Sequence, residues 1–211
     1  MRKQLIKRML VIVGVSMMAF PFLRLKYGES QTQKRIEEVE ERTENKKIQK
    51  SAENMRESGE ENNEEENREN VTEKADKQGM GIGIIKIEKI GLQYPVVEGA
   101  GQEELCFAVG HVDGTAGIGE KGNCVLAGHR GSRYGAFFRR IGELREGDEI
   151  RLMDGEGVWY RYMVSEKFVV RADEVWVLEQ DGEEKVTLIS CENGGRERVV
   201  VVGRKNGIDN E

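Results

Sequence analysis

GNCVLAGH, Gly122 to His129, is apolar on both of its alternating faces, as a strand enclosed within a barrel has to be. The segments around it carry the same period. From Gly83 onward Ile85 and Ile87 alternate with Lys86 and Glu88, and Tyr94 and Val96 follow after the Gly91 turn. Downstream, DEIRLM, VWYRYMVSEKFVV, KVTLIS and RVVVVGR are separated by REG, DGEG, a mixed segment around Asp173 to Gln180, and ENGG. Each break has turn chemistry. Only AFFRRIGEL departs from the pattern: Phe137, Phe138, Ile141 and Leu144 have helical spacing, so a short helix is expected there. About seven or eight short strands, small helical insertions and no repeating strand–helix alternation predict an all-β fold, a closed or nearly closed barrel.

This patterned region, from about Gly81 to Arg204, is roughly 125 residues of the 211 and is long enough to bury one independent core. The net charge of -6 comes largely from the acidic tract Glu57 to Glu69, which argues against a phosphate-binding surface and hence against nucleic acid as a partner. Between Tyr27 and Gln78 the chain is almost entirely Glu, Lys, Arg, Asn, Gln, Ser and Thr, with scattered Ile36, Val39 and Ile48. Such a segment cannot fold alone. Lys34 to Arg56 has good helix formers, whereas Glu57 to Asn70 reads as solvated coil, so the whole is expected to be a charged stalk without a specific partner.

At the N-terminus Arg2, Lys3, Lys7 and Arg8 precede the uncharged run MLVIVGVSMMAFPFL, Met9 to Leu23, and Arg24 and Lys26 follow it. The run is short for a bilayer span, but Leu5 and Ile6 extend it while Lys7 and Arg8 snorkel to the headgroups. Four cations ahead of it place the N-terminus in the cytoplasm and the remainder outside the cell membrane. No clear small-x-small cleavage site follows, which favours an uncleaved single-pass anchor over a signal peptide. The expected organisation is therefore a basic N-terminus (1–8), a transmembrane anchor (9–26), a disordered or helical stalk (27–79), a catalytic domain (80–205) and a polar tail (206–211).

Three cysteines, Cys106, Cys124 and Cys191, allow at most one internal disulfide and leave at least one thiol over. Cys106 and Cys124 lie in apolar stretches and read as small buried hydrophobes. Cys191 instead ends the strand VTLISC and leads into Glu192-Asn193-Gly194-Gly195. The chain has two histidines, His111 and His129, both in glycine-rich surroundings. A thiol nucleophile needs a base and its leaving group needs a proton, so Cys191 with one of these histidines is the minimal acyl-transfer pair. His129 sits at the end of an apolar strand with glycines on either side, where a rigid sheet holds the ring and a substrate backbone can approach. The peptide N–H of Glu192 is a candidate oxyanion donor. Arg198 heads the run RVVVV, and a fixed guanidinium beside the thiol would stabilise negative charge on a carbonyl oxygen. Arg196, two residues away, is the alternative for that role. No cysteine or histidine pair has metal-ligand spacing, so no metal is expected.

These residues resemble the sortases of Gram-positive bacteria, whose pattern is a His ending a strand as L-x-G-H, a T-L-x-T-C strand, and an Arg opening the final strand. LAGH ends at His129, TLISC at Cys191, and RVVVVGR begins at Arg198. The block YPVVEG…LCFAVGHVDGTAG is also similar, most closely to class D. Ser190 departs from the usual threonine, keeping the hydroxyl and losing a methyl. The resemblance implies a closed eight-stranded sortase-type barrel, optional calcium that nothing in this sequence indicates, and a cysteine transpeptidase acting on exported proteins with an LPxTG-like or LPxTA-like sorting signal. It implies His129, Cys191 and Arg198 as catalytic residues, the Glu192 N–H and Ser190 in support, and His111 and Thr115 at the substrate groove, with Asp113 in the same loop. The accepting amine would come from a peptidoglycan precursor or from a pilin lysine. Neither a lid segment nor a C-terminal membrane helix of the pilin-polymerising kind is visible, which favours wall attachment. A papain-like hydrolase is the rival enzyme, with the opposite order of Cys and His. An anchored, non-enzymatic β-barrel module is the rival without chemistry.

Overall fold

The computed structural model describes residues 26–48, 81–131 and 135–209. Eight strands are present: β1 (Gly81–Ile87), β2 (Leu92–Glu98), β3 (Val109–His111), β4 (Gly122–Gly128), β5 (Glu149–Asp154), β6 (Trp159–Arg171), β7 (Glu184–Glu192) and β8 (Glu197–Asp209). They close into a barrel in the order β1-β2-β3-β4-β7-β8-β6-β5. The pairs β2–β3 and β4–β7 are parallel and the other pairs antiparallel. Closure leaves no free sheet edge to template aggregation. The helical spacing of AFFRRIGEL appears as a 3-10 segment, Phe137–Glu143, that buries Phe137, Phe138 and Ile141.

The period-two pattern sorts side chains between the barrel interior and two outer layers. Ile85 and Ile87 of β1, Leu126 of β4, Ile150 and Leu152 of β5, Leu188 of β7 and Val201 of β8 fill the interior. Runs that are apolar on both faces have a covering layer outside. Val200 and Val202 of β8 face outward beneath Val177, which belongs to the β6–β7 connection, with Phe168 and Leu178 packed alongside. That connection is pinned by a buried polar knot. Asn123, 1% exposed, donates from Nδ2 to the carbonyls of Val177 (3.0 Å) and Glu179 (3.2 Å), and its Oδ1 accepts from the Thr187 hydroxyl at 2.7 Å. Gln180 brackets the same residue, accepting from its backbone N–H at 2.9 Å and donating to its carbonyl at 3.0 Å.

The second outer layer revises the expected stalk. Residues 26–48 form one helix, α1, and its buried positions 28, 32, 36, 39 and 43 recur at the three- and four-residue spacing of a single stripe. Ile36 and Val39 pack with Ile84 of β1 and Met153 of β5, and Trp159 closes over them. This part of the charged segment is therefore docked on the barrel rather than solvated. Burying an Ile or Val side chain contributes about 1.5–3 kcal/mol, so two of them hold a helix whose other faces are polar. The flanking pair Lys46–Glu156 is half exposed on both sides and adds little. The expected anchor (Met9 to Leu23) and the acidic tract lie outside the described residues, as do Asn210 and Glu211.

Candidate active site

The sheet register brings three expected residues to one end of the barrel. β4 and β7 run parallel, and their last pair is Gly128 with Ser190. The next residues on the two chains, His129 and Cys191, thus emerge side by side. On the other flank of β7, Cys191 is paired directly with Arg198 of β8. Cross-strand partners share a face, so thiol and guanidinium project on the same side of the sheet. Alternation along β7 sends Ser190 inward, where it is 2% exposed, and leaves Cys191 half-buried at the surface.

Each of the three is held by its surroundings. The His129 ring meets the edge of Phe137 at 6.4 Å and 85°, and Phe137 stacks on Tyr94 at 4.6 Å. Tyr94 secures this arrangement, its hydroxyl accepting from the N–H groups of Ala136 and Phe137, each at 3.1 Å. The Phe138 N–H donates to the His129 carbonyl at 2.9 Å. Gly128 is required by close approach, because a Cβ there would lie 2.7 Å from the Phe138 ring. Arg198 donates from Nη1 to the carbonyls of Gly195 (2.8 Å) and Glu197 (3.0 Å), which ties the guanidinium to the turn following the thiol. That turn needs glycine, with φ of 66° at Gly194 and 88° at Gly195. Arg196 lies in the same turn ahead of β8 and is exposed. The strand partner of the thiol is Arg198.

A pocket opens beside Cys191, lined among others by Arg130, Phe138, Arg139, Ile141, Ser190 and Glu192. Arg130 and Glu192, the residues immediately after His129 and Cys191, form an ion pair across the β4 and β7 ends. The Ser190 hydroxyl is buried without a hydrogen-bond partner among the described residues. Tyr94, Phe137 and the Arg130–Glu192 pair were not anticipated from sequence. Tyr94 and Phe137 are 43 residues apart, and Arg130 and Glu192 are 62 apart, so no local pattern marks these pairs.

His111 and Thr115 are elsewhere. His111 is 5% exposed, with Nδ1 3.1 Å from Glu98 Oε1 and Nε2 2.9 Å from the Ala116 carbonyl. The Thr115 hydroxyl sits 3.0 Å from Nε2 and donates to the Val112 carbonyl at 2.7 Å. Together they brace the β3–β4 connection and do not line the pocket at Cys191. The thiols also separate. All three cysteines are free, and Cys124 is enclosed, its thiol pushed up to about 12 chiefly by burial, with Glu120 and Glu98 adding to the effect. Cys106 donates weakly to the Gln102 carbonyl. Among the described residues no cluster of three or more His, Cys, Asp or Glu is placed to hold a metal ion, and no helix is long and apolar enough to cross a membrane.

A strand-borne thiol flanked in register by an imidazole and a guanidinium thus lies at one end of a closed eight-stranded barrel. The sortase domain family matches residues 85–206, more than half of the chain, and the chain belongs to that family. It is 35% identical to sortase D of Bacillus subtilis over 113 residues, covering 54% of this chain and 55% of that protein. Over 124 residues it is 36% identical to sortase A of Bacillus anthracis, covering 58% of each. The chain thus spans a little over half the length of these curated relatives. The solved structure of a Clostridium perfringens sortase D5 transpeptidase superposes with a TM-score of 0.63 at 29% identity, over 84% of this chain and 99% of that one. Class D resemblance and the sortase barrel agree with the expectation from sequence.

Proposed function

We propose that this chain is a cysteine transpeptidase that cleaves an LPxTG-like sorting signal and joins the released carboxyl end to an amine of a peptidoglycan precursor. The observation that carries this reading is the register: Cys191 on the central strand, His129 emerging beside it and Arg198 paired opposite. In the first half-reaction the Cys191 sulfur attacks the carbonyl carbon of the signal's threonine. Arg198, held through Nη1, and the Glu192 N–H receive the charge that develops on the carbonyl oxygen. The C–N bond to the next residue breaks, His129 gives the leaving amine its proton, and a thioester remains on Cys191. In the second half-reaction the incoming amine attacks the thioester, loses a proton to His129 and releases the thiolate as an amide forms. Water competes at this step. Ser190 lies beneath the thiol and shapes the floor of the pocket.

The cationic flanks and apolar run before α1 support a single-pass anchor that keeps the catalytic domain outside the cell membrane, within reach of exported proteins and wall precursors. The direct test incubates the protein with a library of sorting peptides and excess amine, and follows adducts and products by mass spectrometry. A thioester on Cys191 and a new amide are expected, both abolished in Cys191→Ala. Exclusive hydrolysis, or full activity of Cys191→Ala, would overturn the reading. Comparison of a cross-bridge peptide with a pilin lysine peptide as acceptor separates wall attachment from pilin joining.

A further inference from the structure

The direction in which α1 lies on the barrel is informative. Near its N-terminal end the Tyr27 ring meets the edge of Phe107 at 6.4 Å, and the Thr32 hydroxyl donates to the Phe107 carbonyl at 3.5 Å. Near its C-terminal end Lys46 pairs with Glu156 at 3.4 Å and Lys47 donates to the Gly157 carbonyl at 3.3 Å. These contacts mark opposite ends of the barrel. Phe107 immediately precedes β3, and the antiparallel pairing of Gly110 with Ala127 carries that approach to the end where β4 gives way to His129. Glu156 and Gly157 form the β5–β6 turn, next to Asp154, which pairs with Gly83 near the start of β1 at the other end. The helix, about 33 Å long at 1.5 Å per residue, runs from the catalytic end to the far end.

In the sequence the apolar run Met9 to Leu23 stops just short of this helix, with only Arg24 and Leu25 between. We infer that α1 is a docked arm that turns the catalytic end of the barrel toward the lipid surface, the partner being the headgroup plane in which the proposed anchor sits. The inference rests on the anchor reading given above. Its consequence is geometric. If the whole segment 27–79 were a flexible tether, the barrel would wander about 40 Å from the bilayer at roughly 5–6 Å times the square root of the residue number, in any orientation. With α1 docked, only Arg24 and Leu25 separate the apolar run from a helix fixed to the barrel, and the thiol is held close to the lipid surface.

The test uses the full chain in phosphatidylcholine–phosphatidylglycerol vesicles that contain an acceptor-labelled lipid. A fluorescent amino acid replaces either Glu146, exposed at the catalytic end ahead of β5, or Lys121, exposed at the far end ahead of β4. Energy transfer several-fold greater from position 146 than from 121 is expected. The difference should collapse in Ile36→Glu/Val39→Glu, and also on inserting a flexible Gly-Ser segment after Leu25, which leaves the helix contacts intact. Turnover of a soluble sorting peptide should be unchanged in both variants, which shows that the barrel remains folded. Equal transfer from the two positions in the parent chain, or greater transfer from 121, would overturn the inference. Failure of the chain to float with vesicles would overturn it through the anchor. Unequal transfer without peptide turnover would sink the transpeptidase reading and leave the orientation standing.

Discussion

Asn123→Ala should loosen the β6–β7 connection and destabilise the barrel by about 3 kcal/mol. Three side-chain hydrogen bonds disappear, two donated to the Val177 and Glu179 carbonyls and one accepted from Thr187. At ~1 kcal/mol net per bond they account for that figure, with the cost of stranding the buried Thr187 hydroxyl offset by carbonyls that recruit water. For a barrel of this size the loss corresponds to roughly 10 °C in Tm. Asn123→Asp discriminates further. It keeps the acceptor for Thr187 but sets a carboxylate against two carbonyl oxygens, so its cost should equal or exceed that of alanine at neutral pH and shrink as the pH falls and the new group protonates. Urea unfolding followed by the fluorescence of Trp159 and Trp176 measures both, and hydrogen exchange across 172–183 reports local release of the connection. If Asn123→Ala costs less than ~1 kcal/mol with protection over 172–183 unchanged, the polar knot does not hold that connection.

Arg198→Ala should lower kcat/KM for a sorting peptide about 10²–10³-fold, while Arg196→Ala, altering an exposed turn residue, should stay near the parent; the reverse ranking would move the oxyanion role. A thiol-alkylating reagent at neutral pH should modify Cys191 and, more slowly, Cys106, sparing Cys124 until the barrel is unfolded, as read by peptide mass mapping. The Arg145 backbone N–H, then Lys89, hold the Asp148 carboxyl below the usual carboxylate range. A depressed folded value contributes stability above the unfolded pKa that is lost as pH falls through the folded one. Asp148→Asn should therefore be less stable than the parent at neutral pH and converge with it in acid, and a constant gap across the titration would contradict this assignment.

The barrel was readable from two patterns: inner-face residues recurring every second position in β1 and β5, and runs apolar on both faces, as in β8, that are covered inside and out. The juxtaposition of Cys191, His129 and Arg198 was readable for a related reason: each sits where an apolar run meets a polar turn, and motif order supplied the pairing. The docking of α1 was hidden by its composition. Of its five buried positions three are Gly28, Thr32 and Thr43, so the stripe barely registers as hydrophobic, and its partner Ile84 reads as an ordinary strand residue. Asn123 was equally silent, one polar residue in an apolar strand whose acceptors lie 54 and 56 positions away. The Tyr94–Phe137–His129 stack depends on the path of the 3-10 segment, which is set by tertiary packing.

The order of strands in the barrel has a bearing on how the protein comes into being. β7 is inserted between β4, which precedes it by more than fifty residues, and β8, the last strand among the described residues. The imidazole therefore has no thiol beside it until the long-range β4–β7 pairing has formed, and the guanidinium joins when β8 pairs with β7. Non-local pairing of this kind is slow to form. A nascent or partly folded chain lacks the assembled grouping of Cys191, His129 and Arg198, so the chemistry proposed for it can begin only once these pairings are complete.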